Sequence, residues 1–256
     1  MKKQIPNIFT LLNLVFGCLA IVSILQNGIV ISHNSEEVQL IEMPERIWLA
    51  SFYIGLAGVV DFLDGFVARL FKATSDMGKQ LDSLADVVSF GVAPSMIVYQ
   101  FLRLSFASQE NGIEISTMFL LPAFFIAAAA AYRLAKFNLD ESQHYSFKGV
   151  PTPAVGMLIA SMPLIYWHSS NVFVIDFLLS KGFLYALILL LCWLMLSNMK
   201  IMSLKFKGNN LKDNIDKIVL LLIALPAIVF LQWLAIPVIF IAYLMLSFIF
   251  RNKMTH

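Results

Sequence analysis

Long apolar runs, separated by short charged or turn-rich segments, are the feature that most restricts the fold of this chain. Each run has about the 17–25 residues that a helix needs to cross a bilayer. Backbone that faces lipid must satisfy its own hydrogen bonds, which favours helices over open sheets. Eight candidate helices are predicted, at approximately residues 8–30, 47–70, 84–104, 116–137, 152–168, 177–198, 216–232 and 234–250.

The composition agrees with a membrane protein. Hydrophobic residues make up 59% of the 256 residues and charged residues only 13%, whereas soluble domains carry about 25% charged residues. Neither Cys18 nor Cys192 belongs to a CxxC or Cys/His cluster, so neither a disulfide framework nor a zinc site is indicated. We therefore predict an all-α, polytopic transmembrane bundle that forms a single domain over residues 1–256, with membrane lipids around it and no nucleic-acid partner.

Basic residues predict the orientation of this bundle. With eight helices both termini lie on one side, and that side holds all of the 18 lysines and arginines except Arg46, Arg103 and Lys181. Cytoplasmic loops of membrane proteins carry an excess of lysine and arginine. The basic side is therefore predicted to be cytoplasmic, and it would suit anionic lipid or a substrate that carries phosphate.

Four aspartates interrupt the apolar pattern at this side. Asp61 and Asp64 stand three residues apart near the end of the second predicted helix, and Asp82 and Asp86 stand four apart at the start of the third. Each spacing places its two carboxylates on one helical face. Unpaired, each charge near the hydrocarbon would cost about 2.5–3.5 kcal/mol. We expect the four carboxylates to converge around positive charge.

The chemistry of the four ligands favours a particular kind of cation. A cluster of carboxylates without cysteine or a nearby histidine suits a hard divalent cation, Mg²⁺ or Mn²⁺, rather than zinc. Four carboxylates exceed what one octahedral Mg²⁺ normally uses, which suggests two ions with shared ligands. Near basic residues, such a pair points to phosphoryl chemistry, in which a carboxylate can also accept a proton from an attacking hydroxyl.

Small and basic residues around the aspartates are the candidate substrate contacts. Gly65, Ala68 and Gly78 leave room for a flat ligand against the backbone, although small residues in membrane helices also serve close helix packing. Arg69 is a candidate cation for phosphate. The remaining candidates are Asn7 and Thr10 in the first turn of helix 1 and, for a carboxylate or phosphate, Arg133, Lys136 and Lys148. The excess of basic residues on cytoplasmic loops would explain the last three equally.

The spacing of these residues resembles the signature of the CDP-alcohol phosphatidyltransferase family. The matching positions are Asp61, Asp64, Gly65, Ala68, Arg69, Gly78, Asp82 and Asp86. The resemblance implies a membrane enzyme that transfers a phosphatidyl group from a CDP-linked donor to an alcohol, releases CMP and uses two divalent metals at the cytoplasmic end of its helices. It also implies four aspartate metal ligands, with Asp86 as the general base. Cytidine and its phosphates would contact Gly65, Ala68, Arg69 and Gly78.

Segments outside the signature resemble the membrane-embedded phosphatidylserine synthases of bacteria and archaea. These segments are "IPNIFTLLNLVFG", "LDSLADVVSFGVAPS", "YRLAKFN" and "FKGVPTPAVG". This resemblance implies CDP-diacylglycerol and L-serine as substrates, a bacterial or archaeal cell membrane as the location, and a homodimer. Lys136 departs from the pattern, because the family usually has arginine there; lysine keeps the charge but loses the bidentate fork.

Two other functions remain open from the sequence. The same chemistry could use another acceptor alcohol, such as glycerol 3-phosphate or an inositol phosphate, although these dianionic acceptors should need more arginines than the chain offers. A cation-coupled transporter would also place carboxylates in membrane helices. A transporter would, however, be expected to carry charges near mid-membrane and broken helices in two matching halves, and the sequence has no internal repeat.

Overall fold

The computed structural model describes residues 5–27, 30–33, 39–70, 75–107, 115–139, 147–202 and 214–250. In these ranges the chain is a bundle of helices, as predicted. The helices are α1 (Ile5–Gln26), α2 (Trp48–Leu70), α3 (Asp76–Asp86), α4 (Ala93–Ala107), α5 (Phe125–Leu139), α6 (Thr152–His168), α7 (Val172–Leu178), α8 (Lys181–Leu196), α9 (Ile215–Leu231) and α10 (Ala235–Ile249).

Two short antiparallel strand pairs lie in the connections between helices. Strand β1 (Val30–His33) pairs with β2 (Gln39–Glu42) between α1 and α2. Strand β3 (Phe147–Lys148) pairs with β4 (Lys200–Ile201), which joins the segment before α6 to the segment after α8. Both pairs are too short to change the fold class, and the second fixes the start of α6 against the end of α8.

Five helical segments of the described chain are long and apolar enough to cross a membrane, and the bent pair α7–α8 would provide a sixth. Two of the five segments, residues 76–107 and 215–249, each include two consecutive α-helices. The latter contains the predicted tight turn, where Gln232 adopts a φ of 49° between α9 and α10. The chain is thus an integral membrane protein with several apolar helices.

The third predicted helix begins earlier than expected. Residue 84 was the predicted start, but α3 begins at Asp76, where the Ser75 hydroxyl caps the helix by accepting a hydrogen bond from the backbone N–H of Gly78 at 3.0 Å. Charged residues interrupt the first two turns of α3, at Asp76, Lys79 and Asp82. The apolar run that was used to predict this helix therefore begins after the helix itself begins. Asp82 and Asp86 therefore lie well inside a helix.

A π-helical turn, Val87–Val92, joins α3 to α4 and packs against several neighbouring helices. Phe90 in this turn is fully buried, and the turn contacts α1, α2, α5 and α6. Single π-helical turns inside helices are rare and are often found near functional sites. Here the turn follows Asp86 directly, so packing around Phe90 fixes the direction in which α3 presents its aspartates.

Helix α1 packs against α2, α3, α4 and this turn. Its buried residues form one stripe that follows helical spacing and includes Pro6, Thr10, Asn13, Gly17, Ala20, Ile24 and Asn27. Gly17 lies close to the turn, since a Cβ built there would clash with Ser89 Oγ and lie 2.9 Å from Ser89 Cα. The contact with Cα involves backbone, so a larger residue would push the helices apart.

We expect Gly17→Ala to destabilise the bundle by about 1–3 kcal/mol, the usual cost of overpacking. This loss corresponds to a melting temperature lower by several degrees, at about 2–4 °C per kcal/mol. The matched control is Gly55→Ala in α2, where an added Cβ meets nothing within 4 Å. Thermal unfolding of both variants in detergent checks the prediction, and equal melting temperatures would contradict this account of the α1 contact.

Candidate active site

Helices α2 and α3 bring three aspartates together. Carboxylate oxygens of Asp61, Asp64 and Asp82 all lie within 4.8 Å of one another. Asp64 is buried, whereas Asp61 and Asp82 are half-buried. The three-residue spacing in α2 places Asp61 and Asp64 on the face that meets α3, and Asp82 faces them from the second turn of α3.

Asp86 lies one helical turn beyond this group. Its carboxylate is outside the 4.8 Å cluster but within electrostatic range of all three other aspartates. The side chain is only 6% exposed. The structure thus arranges the four predicted residues as a group of three with a fourth carboxylate that is as buried as that of Asp64.

Helix α1 supplies neutral hydrogen-bond donors to two of the carboxylates. Thr10 Oγ1 lies 2.9 Å from Asp64 Oδ2 and also 3.2 Å from the carbonyl oxygen of Pro6. Asn13 Nδ2 donates to Asp86 Oδ1 at 3.1 Å. Each of the two helices that carry aspartates is therefore joined to α1 through one carboxylate.

Asn13 is the main functional residue that the sequence analysis missed. It is fully buried and stands three residues after Thr10, a spacing that puts both side chains on one face. A polar side chain in an otherwise apolar run, in register with a predicted site residue, was the available signal. The sequence alone did not reveal which aspartate it contacts.

The donor set fits divalent cations. Asp82 Oδ1 is buried and has no hydrogen-bond partner among the described residues. Hard divalent cations prefer oxygen ligands, and a buried carboxylate without a partner is costly. Asp61, Asp64, Asp82 and Asp86 could therefore hold such ions.

A cavity of about 380 Å³ opens beside the three clustered aspartates. Ligand pockets typically measure about 300–1,000 Å³. The lining combines aspartates, small residues and the first turns of α1 and α3: Pro6, Asn7, Thr10, Asp64, Gly65, Ser75, Asp76, Gly78, Lys79 and Asp82. Ser75, Asp76 and Lys79 were not predicted, because in the sequence they fall in an apparent loop.

The predicted small residues face this cavity where the structure describes them. A Cβ at Gly65 would meet nothing within 4 Å, so this side of α2 is open. A Cβ at Gly78 would lie 3.1 Å from Ser75 Oγ and 3.2 Å from Asn7 Oδ1, so the floor of the cavity is tight there. Ala68 and Arg69 belong to α2, but their side chains lie outside the described residues.

Arg133 approaches the site from α5. It is 8% exposed, and its Nη1 donates to Thr152 Oγ1 at 3.4 Å. Its Nε is buried without a hydrogen-bond partner among the described residues. Arg133 is within electrostatic range of Asp86. The guanidinium thus has an unused donor within electrostatic range of Asp86, although it does not line the cavity beside the aspartates.

The segment before α6 positions Thr152 for this contact. Gly149 has a φ of 75°, a conformation that suits glycine, and a Cβ there would lie 2.5 Å from the carbonyl oxygen of Met195. The backbone N–H of Val150 donates to the carbonyl of Leu194 at 3.1 Å. The "KGVPT" segment therefore fastens the start of α6 to the end of α8.

Of the other two predicted basic contacts, Lys136 is not brought into the aspartate group. Lys136 is exposed, and its Nζ donates to Asn198 Oδ1 at 3.0 Å, in the segment after α8. The side chain of Lys148 lies outside the described residues. Of the three candidates, only Arg133 is described within range of an aspartate.

Comparison with known proteins agrees with this arrangement. The sequence model of the CDP-alcohol phosphatidyltransferase family matches residues 3–203. A Bacillus subtilis protein named CDP-diacylglycerol–serine O-phosphatidyltransferase is 34% identical over 170 residues, which cover 64% of this chain and 77% of the relative.

Two further relatives carry the same name. A Helicobacter pylori protein (strain J99) is 37% identical over 166 residues, covering 64% of this chain and 65% of the relative. A Methanocaldococcus jannaschii protein is 40% identical over 114 residues, covering 44% of this chain and 50% of the relative. The matched regions thus span less than two thirds of these two relatives. Because the family match extends over most of the sequence and includes all four aspartates, the chain belongs to the CDP-alcohol phosphatidyltransferase family.

Proposed function

We propose that this protein transfers a phosphatidyl group from CDP-diacylglycerol to the hydroxyl of L-serine, giving phosphatidylserine and CMP. The observation that carries the proposal is the group of three carboxylates within 4.8 Å beside the 380 Å³ cavity. The relatives named above support serine as the acceptor, since all of them carry the name of the serine enzyme.

The cavity is the proposed site for the cytidine diphosphate end of the donor. Gly65 leaves open space along α2, and Asn7 and Ser75 present polar atoms from two other elements. The acyl chains would remain in lipid. Ala68, Arg69 and Thr10 are also proposed to contact CDP-diacylglycerol. The Thr10 hydroxyl in addition donates a hydrogen bond to Asp64.

Two divalent cations, Mg²⁺ or Mn²⁺, are the proposed cofactors. When bound, they would neutralise the diphosphate oxygens and the negative charge that develops on departing CMP. The four aspartates are their proposed ligands. A diphosphate could not approach these carboxylates favourably without such neutralisation, because like charges repel at short range.

Asp86 is the proposed general base. Asn13 Nδ2 donates a hydrogen bond to Asp86 Oδ1, while Asp86 Oδ2 has no hydrogen bond to the described residues. Asp86 would take the proton of the serine hydroxyl, and the serine oxygen would form a bond to the phosphorus that carries diacylglycerol. The bond from that phosphorus to the oxygen of CMP would break, and CMP would leave with the bonding electrons.

Arg133 is the proposed contact for the carboxylate of serine. Its buried Nε lacks a partner among the described residues, and a buried donor without a partner costs about 1–3 kcal/mol. An incoming carboxylate would satisfy it and bring the serine hydroxyl toward Asp86. Lys136 bonds to Asn198 instead. One buried guanidinium suits an acceptor with a single carboxylate better than a dianionic phosphate.

The location of the site follows from the charge pattern. We propose that the aspartate end of the bundle faces the cytoplasm, because the lysines and arginines concentrate on that side and cytoplasmic loops favour them. The membrane is proposed to be the cell membrane of a bacterium or archaeon. The homodimer and the single-domain organisation over residues 1–256 stay predictions.

The acceptor is tested by CMP release from CDP-diacylglycerol with the purified protein in detergent. Serine, glycerol 3-phosphate and an inositol phosphate are compared at equal concentrations with added Mn²⁺ or Mg²⁺. We expect serine to give at least about 10-fold faster release, since a site that pairs with a substrate group discriminates strongly against acceptors that lack it. Faster release with either phosphorylated alcohol would overturn the choice of serine, and no release with any acceptor would favour a transporter.

The role of Asp86 is tested by Asp86→Asn, which keeps the size of the side chain but removes its basicity. CMP release with serine should fall by about 10²–10⁴-fold, the usual contribution of a positioned base. Asp176→Asn is the matched control, because Asp176 is exposed on α7 and has no proposed role. Near-normal release by Asp86→Asn would rule out the base assignment.

A further inference from the structure

Asn13 occupies a place in the site that the reaction chemistry does not itself require. It carries no charge, is fully buried, and lies on α1, which contributes no carboxylate. Its Nδ2 donates to Asp86 Oδ1 at 3.1 Å. Burial of an amide without compensation is unfavourable, and Asn13 Oδ1 is buried without a hydrogen-bond partner among the described residues. The contact of Nδ2 with Asp86 is therefore the compensation that the structure gives this side chain.

Ser89 holds Asn13 in place. The hydroxyl of Ser89 donates to the backbone carbonyl of Asn13 at 3.0 Å. Ser89 lies in the π-helical turn and also packs closely against α1 at Gly17. The backbone of Asn13 is thereby fixed relative to Asp86, which precedes the same turn.

The hydrogen bond leaves the two oxygens of Asp86 in different environments. Oδ1 faces the amide of Asn13, and Oδ2 has no hydrogen bond to the described residues. A carboxylate held at one oxygen has less rotational freedom, so its other oxygen keeps one direction. An oriented second oxygen is what a metal ligand or a base needs, because both roles depend on the position of a lone pair.

We propose that Asn13 is a positioning residue that fixes the rotamer of Asp86 and so directs Oδ2 toward the divalent cation and the acceptor hydroxyl. This inference rests on the proposed function for the role of Asp86. It predicts a specific pattern: loss of Asn13 impairs cation binding and turnover, but not binding of the nucleotide end of the donor, because Asn13 does not line the cavity.

The test compares Asn13→Leu with Ser95→Ala in the full chain. Asn13→Leu keeps the branched shape of the side chain, with a larger volume, and removes the donor. Ser95→Ala is the matched control, because it removes a buried hydrogen bond to the same π-helical turn, from Ser95 Oγ to the carbonyl of Gly91 at 2.7 Å, and leaves the amide of Asn13 on Asp86. Mn²⁺ affinity is measured by electron paramagnetic resonance, and kcat and KM for CDP-diacylglycerol by CMP release.

Asn13→Leu should weaken Mn²⁺ binding or lower kcat by about 10–100-fold, the usual effect of removing a hydrogen-bond partner of a metal ligand. KM for CDP-diacylglycerol should change less than about threefold, and Ser95→Ala should stay within about threefold of wild type in all three quantities. Wild-type Mn²⁺ affinity and kcat in Asn13→Leu, or an equal loss in Ser95→Ala, would overturn the proposal.

A second variant covers the case in which Asn13→Leu does not fold. Asn13→Asp keeps the shape but replaces the donor with an oxygen that repels Asp86, so it should lose at least as much Mn²⁺ affinity or kcat as expected for the leucine variant. A wild-type-like Asn13→Asp would also overturn the proposal. Wild-type protein that binds Mn²⁺ but releases no CMP with serine would instead contradict the proposed function, and the Mn²⁺ comparison would still test Asn13.

Discussion

Repulsion between carboxylates is the constraint on which the rest of this structure depends. Asp61, Asp64 and Asp82 place oxygens within 4.8 Å of one another, and Asp86 lies within electrostatic range of all three. Two unit charges at such a separation repel by about 3 kcal/mol at an effective dielectric constant of about 20. The packing of the bundle must hold these carboxylates together against their repulsion. A bound cation would replace this net repulsion with net attraction.

Neutral helices provide the restraint. Helix α1 has no charged residue, yet it joins both carboxylate-bearing helices through Thr10 and Asn13. The π-helical turn after Asp86 contains the fully buried Phe90, contacts four helices and touches α1 at Gly17. The turn at Gly149 fixes the start of α6, where Thr152 accepts a hydrogen bond from Arg133. The packing of apolar helices thus determines the orientation of a few polar side chains at the site.

The sequence was sufficient to predict the helical bundle and the close approach of Asp61, Asp64 and Asp82. Apolar runs report helix positions directly, and spacings of three and four residues place the aspartates on common faces. The start of α3 was predicted eight residues too late, because hydropathy does not register a charged, capped helix end such as Ser75–Asp82. The partners of Asn13 and Lys136 were beyond prediction for another reason. Asp86 and Asn198 are 73 and 62 residues away in the chain, so only the packing of the helices brings each pair together.

We propose that the four aspartates form a site for a pair of divalent cations. The most direct test of this site is a crystal structure of the full chain grown with Mn²⁺, with anomalous diffraction recorded above the manganese absorption edge. We predict two anomalous peaks between α2 and α3, each within about 2.5 Å of carboxylate oxygens of Asp61, Asp64, Asp82 or Asp86, a distance typical of oxygen ligands to divalent cations. A well-ordered site without an anomalous peak at saturating Mn²⁺ would contradict the claim.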